Sequence, residues 1–136
     1  MEVKTFGVIG AGQMGNGIAQ VAATSGLDVI MNDIKTEFTE QGLATITKIL
    51  SRNVDKGKMT GEEKDAIQGR IKTSVSLQDM AAADFVVEAA TENEAIKNQI
   101  FKDLDEICGP DVILSSNTSS IAIGRIAAQT RRPAQR

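Results

Sequence analysis

The sequence contains no histidine, and this absence removes a large part of enzyme chemistry from its 136 residues. A Ser-His triad, a histidine-ligated metal and a histidine general base are all excluded within the chain, and we predict no metal site. Tryptophan and tyrosine are also absent, so the chain lacks the aromatic platforms on which nucleic-acid bases stack. The net charge of −3 gives no electrostatic reason to expect nucleic acid or an anionic membrane as a partner.

Cysteine and long apolar runs are equally scarce. The single Cys108 rules out an internal disulfide framework and fits a reducing, cytoplasmic setting, in which we expect it to be a small buried filler. No apolar run approaches the roughly 20 residues that a membrane-spanning helix needs, and no signal peptide is evident. Hydrophobic residues make up 41% and charged residues 24% of the chain, which is typical of one folded globular domain without a membrane partner.

The most informative stretch of the chain follows its first apolar run and reads Gly10-Ala11-Gly12-Gln13-Met14-Gly15. Gly-x-Gly-x-x-Gly between a strand and an apolar helix is the fingerprint of a dinucleotide-binding turn. In such a turn Gly10 permits the reversal of the chain, Gly12 lets the backbone approach a diphosphate, and Gly15 lets helix and strand pack closely. The amides of the first helical turn, which includes Gln13 and Met14, would hold the negative charge together with the helix dipole.

Asp33 directly follows the second predicted strand, about twenty residues after the glycine turn begins, where a dinucleotide site has a carboxylate for the adenosine ribose. A carboxylate there accepts hydrogen bonds from the ribose hydroxyls and repels a 2′-phosphate. Only Lys35 follows it, with no arginine, so the pattern favours NAD over NADP. The alternative interpretation is a surface aspartate that merely ends a strand.

The remaining chain alternates strands and helices. Strands are predicted at 3–9, 27–32, 71–74, 84–90 and 112–116, helices at 14–25, 37–56, 60–68, 94–107 and 121–128, and a helical turn at 76–83. This order predicts an α/β, Rossmann-type doubly wound fold, with a mainly parallel sheet and helices on both faces. Ligands of such sheets bind at the carboxyl ends of the strands, so the polar clusters at 10–15, 33, 88–97 and 115–120 should converge on one crevice.

Helical spacing of apolar residues predicts which helix faces are buried. The positions assigned to the core are Phe38, Leu43, Ile46, Ile49, Leu50 and Val54 in the helix at 37–56, and Ile96, Ile100, Leu104 and Ile107 in the helix at 94–107. Thr60-Gly61-Glu62-Glu63 has the spacing of a capping box and should begin a short helix.

Four segments together resemble the NAD-binding domain of the 3-hydroxyacyl-CoA dehydrogenases, with the nearest likeness to the bacterial 3-hydroxybutyryl-CoA dehydrogenases. They read VIGAGQMGNGIAQ at 8–20, NDIK at 32–35, VVEAATEN at 86–93 and SNTSS at 116–120. Many dehydrogenases share the glycine turn, whereas the combination of Val-Val-Glu-Ala with Ser-Asn-Thr-Ser-Ser is far more specific. The resemblance covers essentially the whole chain.

The resemblance implies roles for individual residues in binding NAD. The glycine turn and Asp33 would hold the adenosine half, while Glu92, Lys97 and Ser119 match positions that contact the cofactor nearer the nicotinamide. Ser119 also matches the residue that hydrogen-bonds the reacting oxygen of the substrate, and Asn117 would orient the same loop. The alternative role of Ser119 is that of a serine capping the next helix.

The resemblance also implies an acyl-CoA substrate. Lys56 falls where the family meets the coenzyme A moiety, although a lysine there also suits the end of a helix dipole. Ile49 stands where some members of the family carry a polar contact to coenzyme A. The family's general base is a histidine soon after the Asn-Thr-Ser-Ser loop, and this chain has none.

We therefore expect residues 1–136 to be an NAD-binding Rossmann domain, truncated before the catalytic histidine and without the helical C-terminal domain through which the family forms homodimers or larger assemblies. The leading hypothesis is the cofactor domain of an oxidoreductase that interconverts 3-hydroxybutyryl-CoA and acetoacetyl-CoA in fatty-acid or butanoate metabolism, nearly inactive as this chain alone. The alternatives are a non-catalytic dinucleotide-binding module and another NAD-dependent 3-hydroxy acid dehydrogenase, such as a 3-hydroxyisobutyrate type. The Ser-Asn-Thr-Ser-Ser segment argues against the last of these.

Overall fold

Five strands and four α-helices alternate along the part of the chain that the computed structural model describes, which is residues 4–89, 94–108 and 112–116. The strands are β1 Thr5–Ile9, β2 Asp28–Asn32, β3 Ile71–Ser74, β4 Phe85–Glu88 and β5 Ile113–Ser116. The helices are α1 Gln13–Thr24, α2 Thr36–Asp55, α3 Gly61–Gly69 and α4 Glu94–Ile107, with a 3-10 helix at Leu77–Ala82 between β3 and β4. The predicted helix at 121–128 lies outside the described residues.

The strands form one sheet in the order β3-β2-β1-β4-β5, and every neighbouring pair runs parallel. The chain moves outward from β1 to β3 and then crosses back to place β4 on the other side of β1. This reversal between β1 and β4 is the topological switch point at which doubly wound sheets bind their ligands. The predicted Rossmann-type fold is confirmed.

The register of the sheet aligns the carboxyl ends of its strands along one edge. Ile9 at the end of β1 lies opposite Asn32 of β2 and Glu88 of β4, and Glu88 lies opposite Ser116 of β5. The carboxyl ends of these four strands thus lie along one edge of the sheet, as predicted.

Side-chain alternation along β1 separates the two faces of the sheet, since successive residues of a strand point to opposite sides. Phe6 and Val8 join the core beneath α1, α2 and α3, while Ile9 joins a second core with the 3-10 helix and α4. On the second face Gly7 has no Cβ, and one placed there would lie 2.5 Å from the sulfur of Met80. The 3-10 helix can therefore pack directly on β1.

The ends of the elements show why their bounds differ slightly from the sequence-based ones. The strand predicted at 84–90 is Phe85–Glu88 in the structure, and just before it the Asp84 carboxylate accepts hydrogen bonds from the N–H groups of Lys4 and Thr5 at 2.9 and 3.0 Å. Thr60 forms the expected capping box with Glu63 at the start of α3. Helix α2 ends before Gly57, whose φ of 73° lies in the left-handed region that glycine favours.

Cys108 is a partly buried filler at the end of α4, less buried than expected. Its thiol donates to the carbonyl oxygen of Met80 at 3.5 Å, and burial raises the pKa of the thiol, which keeps it protonated.

Two residues assigned to the core are not buried there: Phe38 is 38% and Ile96 is 51% exposed. Helical spacing alone could not distinguish a face on the core from a face on the cleft described below. Among the described helices, none combines the length and apolarity that crossing a membrane requires.

Candidate cofactor-binding site

The glycine turn (Gly10 to Gly15) connects β1 to α1 at the switch point of the sheet. Gly10 has a φ of 106°, a conformation that side-chain-bearing residues rarely adopt, and its N–H donates to the carbonyl oxygen of Asn32 at 2.7 Å. A Cβ on Gly15 would come 1.7 Å from the carbonyl oxygen of Gly10, so only glycine lets α1 begin so close to the turn. The close packing of helix and strand that the sequence predicts at Gly15 is present.

Gly12 differs from Gly10 and Gly15, the other two glycines of the fingerprint, because nothing in the described structure fills the space beside it. A Cβ on Gly12 would meet no atom within 4 Å, although its φ of −69° is open to any residue. Gly12 is the N-cap of α1, so no side chain at the N-cap accepts a hydrogen bond from the first-turn amides. The first turn also carries no acidic residue. Gln13 and Met14 are exposed beside it. The first-turn amides of α1, which have no partner within the helix, therefore face open space in which an anion fits.

The Asp33 carboxylate is bound directly to the glycine turn. Its Oδ2 accepts from the N–H of Ala11 at 2.8 Å and its Oδ1 accepts from the N–H of Ile34 at 2.7 Å. A carboxylate has about four lone-pair directions, so two remain for further donors. The sequence places Asp33 at the end of β2, but it does not predict this bond to Ala11. Asp33 thus sets the geometry of the turn as well as presenting acceptors to a ligand.

A cleft of about 530 Å³ opens beside Asp33 at the carboxyl edge of the sheet. It is lined by Ile9, Gly10, Gly12, Asn32, Asp33, Ile34, Phe38, Val75, Leu77, Ala89, Ile96 and Ile100. Four of these are large apolar residues that the described surface leaves exposed, with Ile34 at 80% and Val75 at 53% besides Phe38 and Ile96. Exposed apolar side chains gathered in one concave site are typical of a binding cleft rather than of an unused surface.

The apolar lining of this cleft is not predicted by the sequence patterns. Helical spacing places Phe38 and Ile96 in the core, and it does not mark Ile34 or Val75. Val75 directly follows β3 and Ile34 comes two residues after the end of β2, at the edge where ligands bind, and that position is the available signal. At the rim, the ammonium of Lys35 lies 5.8 Å from the centroid of the Phe38 ring, which is within the range of a cation–π contact.

The structure brings part of the predicted site together and leaves part of it apart. Gly10, Gly12 and Asp33 meet at the cleft, with Gln13, Met14 and the buried Gly15 in the adjoining helical turn. Lys56 is the exposed C-cap of α2, roughly 27 Å along the helix axis from Phe38 in the cleft. Glu92, Asn117 and Ser119 lie outside the described residues, as does the side chain of Lys97. In residues 4–89, 94–108 and 112–116, no group of three or more Cys, Asp and Glu could hold a metal ion.

The site and fold are those of a dinucleotide-binding domain, and the family is shown by comparison. The family model described as the NAD-binding domain of 3-hydroxyacyl-CoA dehydrogenase matches residues 5–136. The chain belongs to this family, and the prediction that NAD is its cofactor is confirmed at the level of the family.

Individual relatives are similar over nearly the whole chain. It is 53% identical over 130 residues to a probable 3-hydroxybutyryl-CoA dehydrogenase of Deinococcus radiodurans, covering 96% of this chain and 46% of the relative. It is 47% identical over 131 residues to the 3-hydroxybutyryl-CoA dehydrogenase of Bradyrhizobium diazoefficiens, covering 96% and 45%. The crystal structure of (S)-3-hydroxybutyryl-CoA dehydrogenase from Ralstonia eutropha superposes with a TM-score of 0.83 at 47% identity, covering 96% and 46%. The chain thus spans less than half the length of each of these proteins.

Proposed function

We propose that this chain binds NAD as the cofactor domain of a 3-hydroxybutyryl-CoA dehydrogenase, an oxidoreductase acting on the C3 hydroxyl of a short-chain 3-hydroxyacyl-CoA. The observation that carries the proposal is the bond between the Asp33 carboxylate and the Ala11 N–H, next to the open space over Gly12. This bond would hold a ribose acceptor and a diphosphate site in one geometry. The names of the relatives at 53% and 47% identity support the substrate class.

The described residues fit the adenosine half and the diphosphate of NAD. The diphosphate would lie over Gly12, where the backbone can approach it without a side chain and the amides of Gln13 and Met14 can donate to it. The adenosine ribose would donate its hydroxyls to the remaining lone pairs of Asp33. The adenine would occupy the cleft between Ile34 and Ile96, whose exposed apolar surface it would cover.

The carboxylate of Asp33 also supports a preference for NAD over NADP. A 2′-phosphate on the same ribose would place about two negative charges beside an anion that is already held by two backbone N–H groups. Lys35, the nearest cation along the chain, lies over the Phe38 ring. Because the Lys35 ammonium is paired with this ring, we expect its charge to offset little of the repulsion between Asp33 and a 2′-phosphate.

NAD would supply the hydride acceptor, and the protein supplies the positioning of cofactor and substrate. We propose that Ser119 hydrogen-bonds the reacting oxygen of the substrate and that Asn117 orients the same loop. Glu92, Lys97 and Ser119 would contact the cofactor nearer the nicotinamide, and Lys56 would contact coenzyme A. These roles rest on the family resemblance. A proton must also leave the C3 hydroxyl, and none of the 136 residues is the histidine that serves as base in the family.

We propose that the full enzyme acts in fatty-acid or butanoate metabolism in the cytoplasm, as a homodimer or larger assembly. A further domain that carries the general base and completes the substrate site would account for the length of the relatives, of which this chain covers 46% and 45%.

Calorimetric titration of the purified chain with NAD and NADP tests the proposal. We expect NAD to bind more tightly than NADP, and Asp33→Ala to weaken NAD by about 10- to 100-fold, because it removes charge-assisted hydrogen bonds to the ribose. Asp28→Ala is the matched control, since Asp28 is an exposed aspartate at the opposite end of β2. Absence of NAD binding by the unaltered chain, or equal affinities of the Asp33 and Asp28 variants, would refute the proposal.

A further inference from the structure

Ser74 ends β3 outside the cleft, yet its side chain is only 8% exposed and lies in a hydrogen-bonded cluster. Its Oγ accepts from the Nδ2 of Asn32 at 3.2 Å and from the N–H of Ser76 at 3.1 Å. Its hydroxyl proton faces the Oδ2 of Asp79 at 2.6 Å and the carbonyl oxygen of Ser76 at 2.9 Å. The proton serves one acceptor at a time, and the shorter contact, to a carboxylate, is the stronger. The Ser74 hydroxyl then makes its full set of hydrogen bonds, one as donor and two as acceptor.

Asn32 carries the effect of this cluster to the cleft. Its side chain, 4% exposed, donates to Ser74, while its own carbonyl oxygen accepts the N–H of Gly10 at 2.7 Å. The next residue is Asp33, whose N–H donates to the carbonyl oxygen of Ser74 at 3.1 Å. Ser74 therefore holds Asn32 through its side chain and Asp33 through its main chain.

From this arrangement we propose that Ser74, braced by Asp79, is a positioning residue that acts through Asn32 to place the Asp33 carboxylate for the adenosine ribose of NAD. This inference rests on the proposed function. Removing the hydroxyl leaves the amide of Asn32 without its acceptor in a buried position, which is costly. Asn32 then shifts to find another partner, and Asp33, the next residue in the chain, shifts with it.

A purely structural role for Ser74 predicts something different. A buried serine that only satisfies Asn32 would change the free energy of unfolding and leave the bound geometry of the folded protein as it was. A positioning role changes how well Asp33 meets the ribose. A ligand that lacks the ribose 2′-hydroxyl separates the two roles, because that hydroxyl is one of the groups that Asp33 would accept.

The experiment compares NAD with its 2′-deoxyadenosine analogue in calorimetric titrations of the unaltered chain and Ser74→Ala. The unaltered chain should bind the analogue less tightly than NAD. Ser74→Ala should raise the Kd for NAD by about 3- to 10-fold, the typical effect of weakening one hydrogen bond. The Kd for the analogue should rise less. Thr73→Ala, an exposed threonine beside Ser74 on the same strand, is the control and should change neither Kd.

Two further results decide the inference. If Ser74→Ala raises both Kd values by the same factor, or neither, Ser74 does not position Asp33. If Ser74→Ala does not fold, Asp79→Ala decides by the same comparison, because Asp79 is exposed and its loss weakens only the bracing of Ser74. Failure of the unaltered chain to bind NAD would instead refute the proposed function, and the inference with it.

Discussion

A Cβ atom on Gly42 would lie 2.7 Å from the carbonyl oxygen of Ala11, so helix α2 rests directly on the backbone of the glycine turn. Ala11 is also held by the Asp33 carboxylate at its N–H and approached by the Nδ2 of Asn16 at its carbonyl oxygen, at 3.4 Å. The turn is thus fixed from β2, from α1 and from α2. Gly42 belongs to the support of the cofactor site although it lies outside the dinucleotide fingerprint.

We expect Gly42→Ala to destabilise the protein and weaken NAD binding together. Alanine favours a helix interior by about 1 kcal/mol over glycine, but overpacking against a backbone atom typically costs about 1–3 kcal/mol. The overpacking should win, because the atom in the way is the Ala11 carbonyl rather than a flexible side chain. Thermal unfolding and NAD titration measure the two effects.

Gly17→Ala is the matched control for Gly42→Ala. A Cβ on Gly17, inside α1, would meet nothing within 4 Å, so the gain in helix propensity should appear as a higher Tm. A Gly42→Ala protein as stable as Gly17→Ala would contradict the close contact of α2 with the turn.

Gly12→Ala should separate binding from folding. The space for its Cβ is open and its backbone conformation is accessible to alanine, so the Tm should stay within about 1 °C of that of the unaltered chain, since nothing in the fold is displaced. The methyl group would occupy the proposed position of the diphosphate and lengthen its bonds to the helix amides. We expect NAD affinity to fall by about 10- to 100-fold, the value of a charge-assisted hydrogen bond.

Gly15→Ala provides the contrast, since its Cβ would come 1.7 Å from the Gly10 carbonyl oxygen. That variant should lose several degrees in Tm whether or not NAD is present. Equal losses of stability in Gly12→Ala and Gly15→Ala would show that Gly12 is needed for the fold and not for the ligand.

The glycine turn and Asp33 could be predicted from the sequence, because their spacing along the chain relative to the first two strands determines where they lie. The bounds of β3 and α4 agree with the prediction, and Asp33 and the glycine turn meet as their positions at strand ends require. The contact of Gly42 with Ala11 and the bond of Asn32 to Ser74 join residues that are 31 and 42 positions apart. They depend on how α2 and β3 pack, which no local pattern specifies.

The misassignment of Phe38 and Ile96 has a related physical cause. Both lie on the inward side of an amphipathic helix, and both helices pack on the sheet, as predicted. Near the carboxyl edge, however, the sheet ends before the helix face does, and the side chains there line the cleft instead of the core. Helical spacing reports that a face is apolar, but it does not report whether protein or ligand covers it.

The 136-residue chain should bind NAD and produce almost no NADH from 3-hydroxybutyryl-CoA. Loss of general acid–base help typically costs about 10²–10⁴-fold in rate, and no histidine is available in these residues to provide it. The measurement is the absorbance of NADH in the presence of both ligands, with calorimetry on the same sample to establish that NAD is bound. Robust turnover would show that another residue acts as the base.

Ile34→Ser tests the apolar wall of the cleft. Ile34 is 80% exposed, so it contributes little to folding, and the Tm should change by no more than about 2 °C, as for other exposed positions. If the adenine covers this side chain, burial of roughly 50 Å² of apolar surface is lost, which corresponds to about 1 kcal/mol or a 2- to 10-fold weaker Kd.

Adenosine-end ligands make the Ile34 result specific. ADP-ribose keeps the adenosine and diphosphate of NAD and lacks the nicotinamide, so Ile34→Ser should weaken ADP-ribose and NAD by the same factor. A loss for NAD alone would place Ile34 near the nicotinamide and reverse the orientation of the cofactor in the cleft. Unchanged affinity for both ligands would mean that the adenine lies elsewhere, because an apolar wall that the ligand covers cannot become polar without cost.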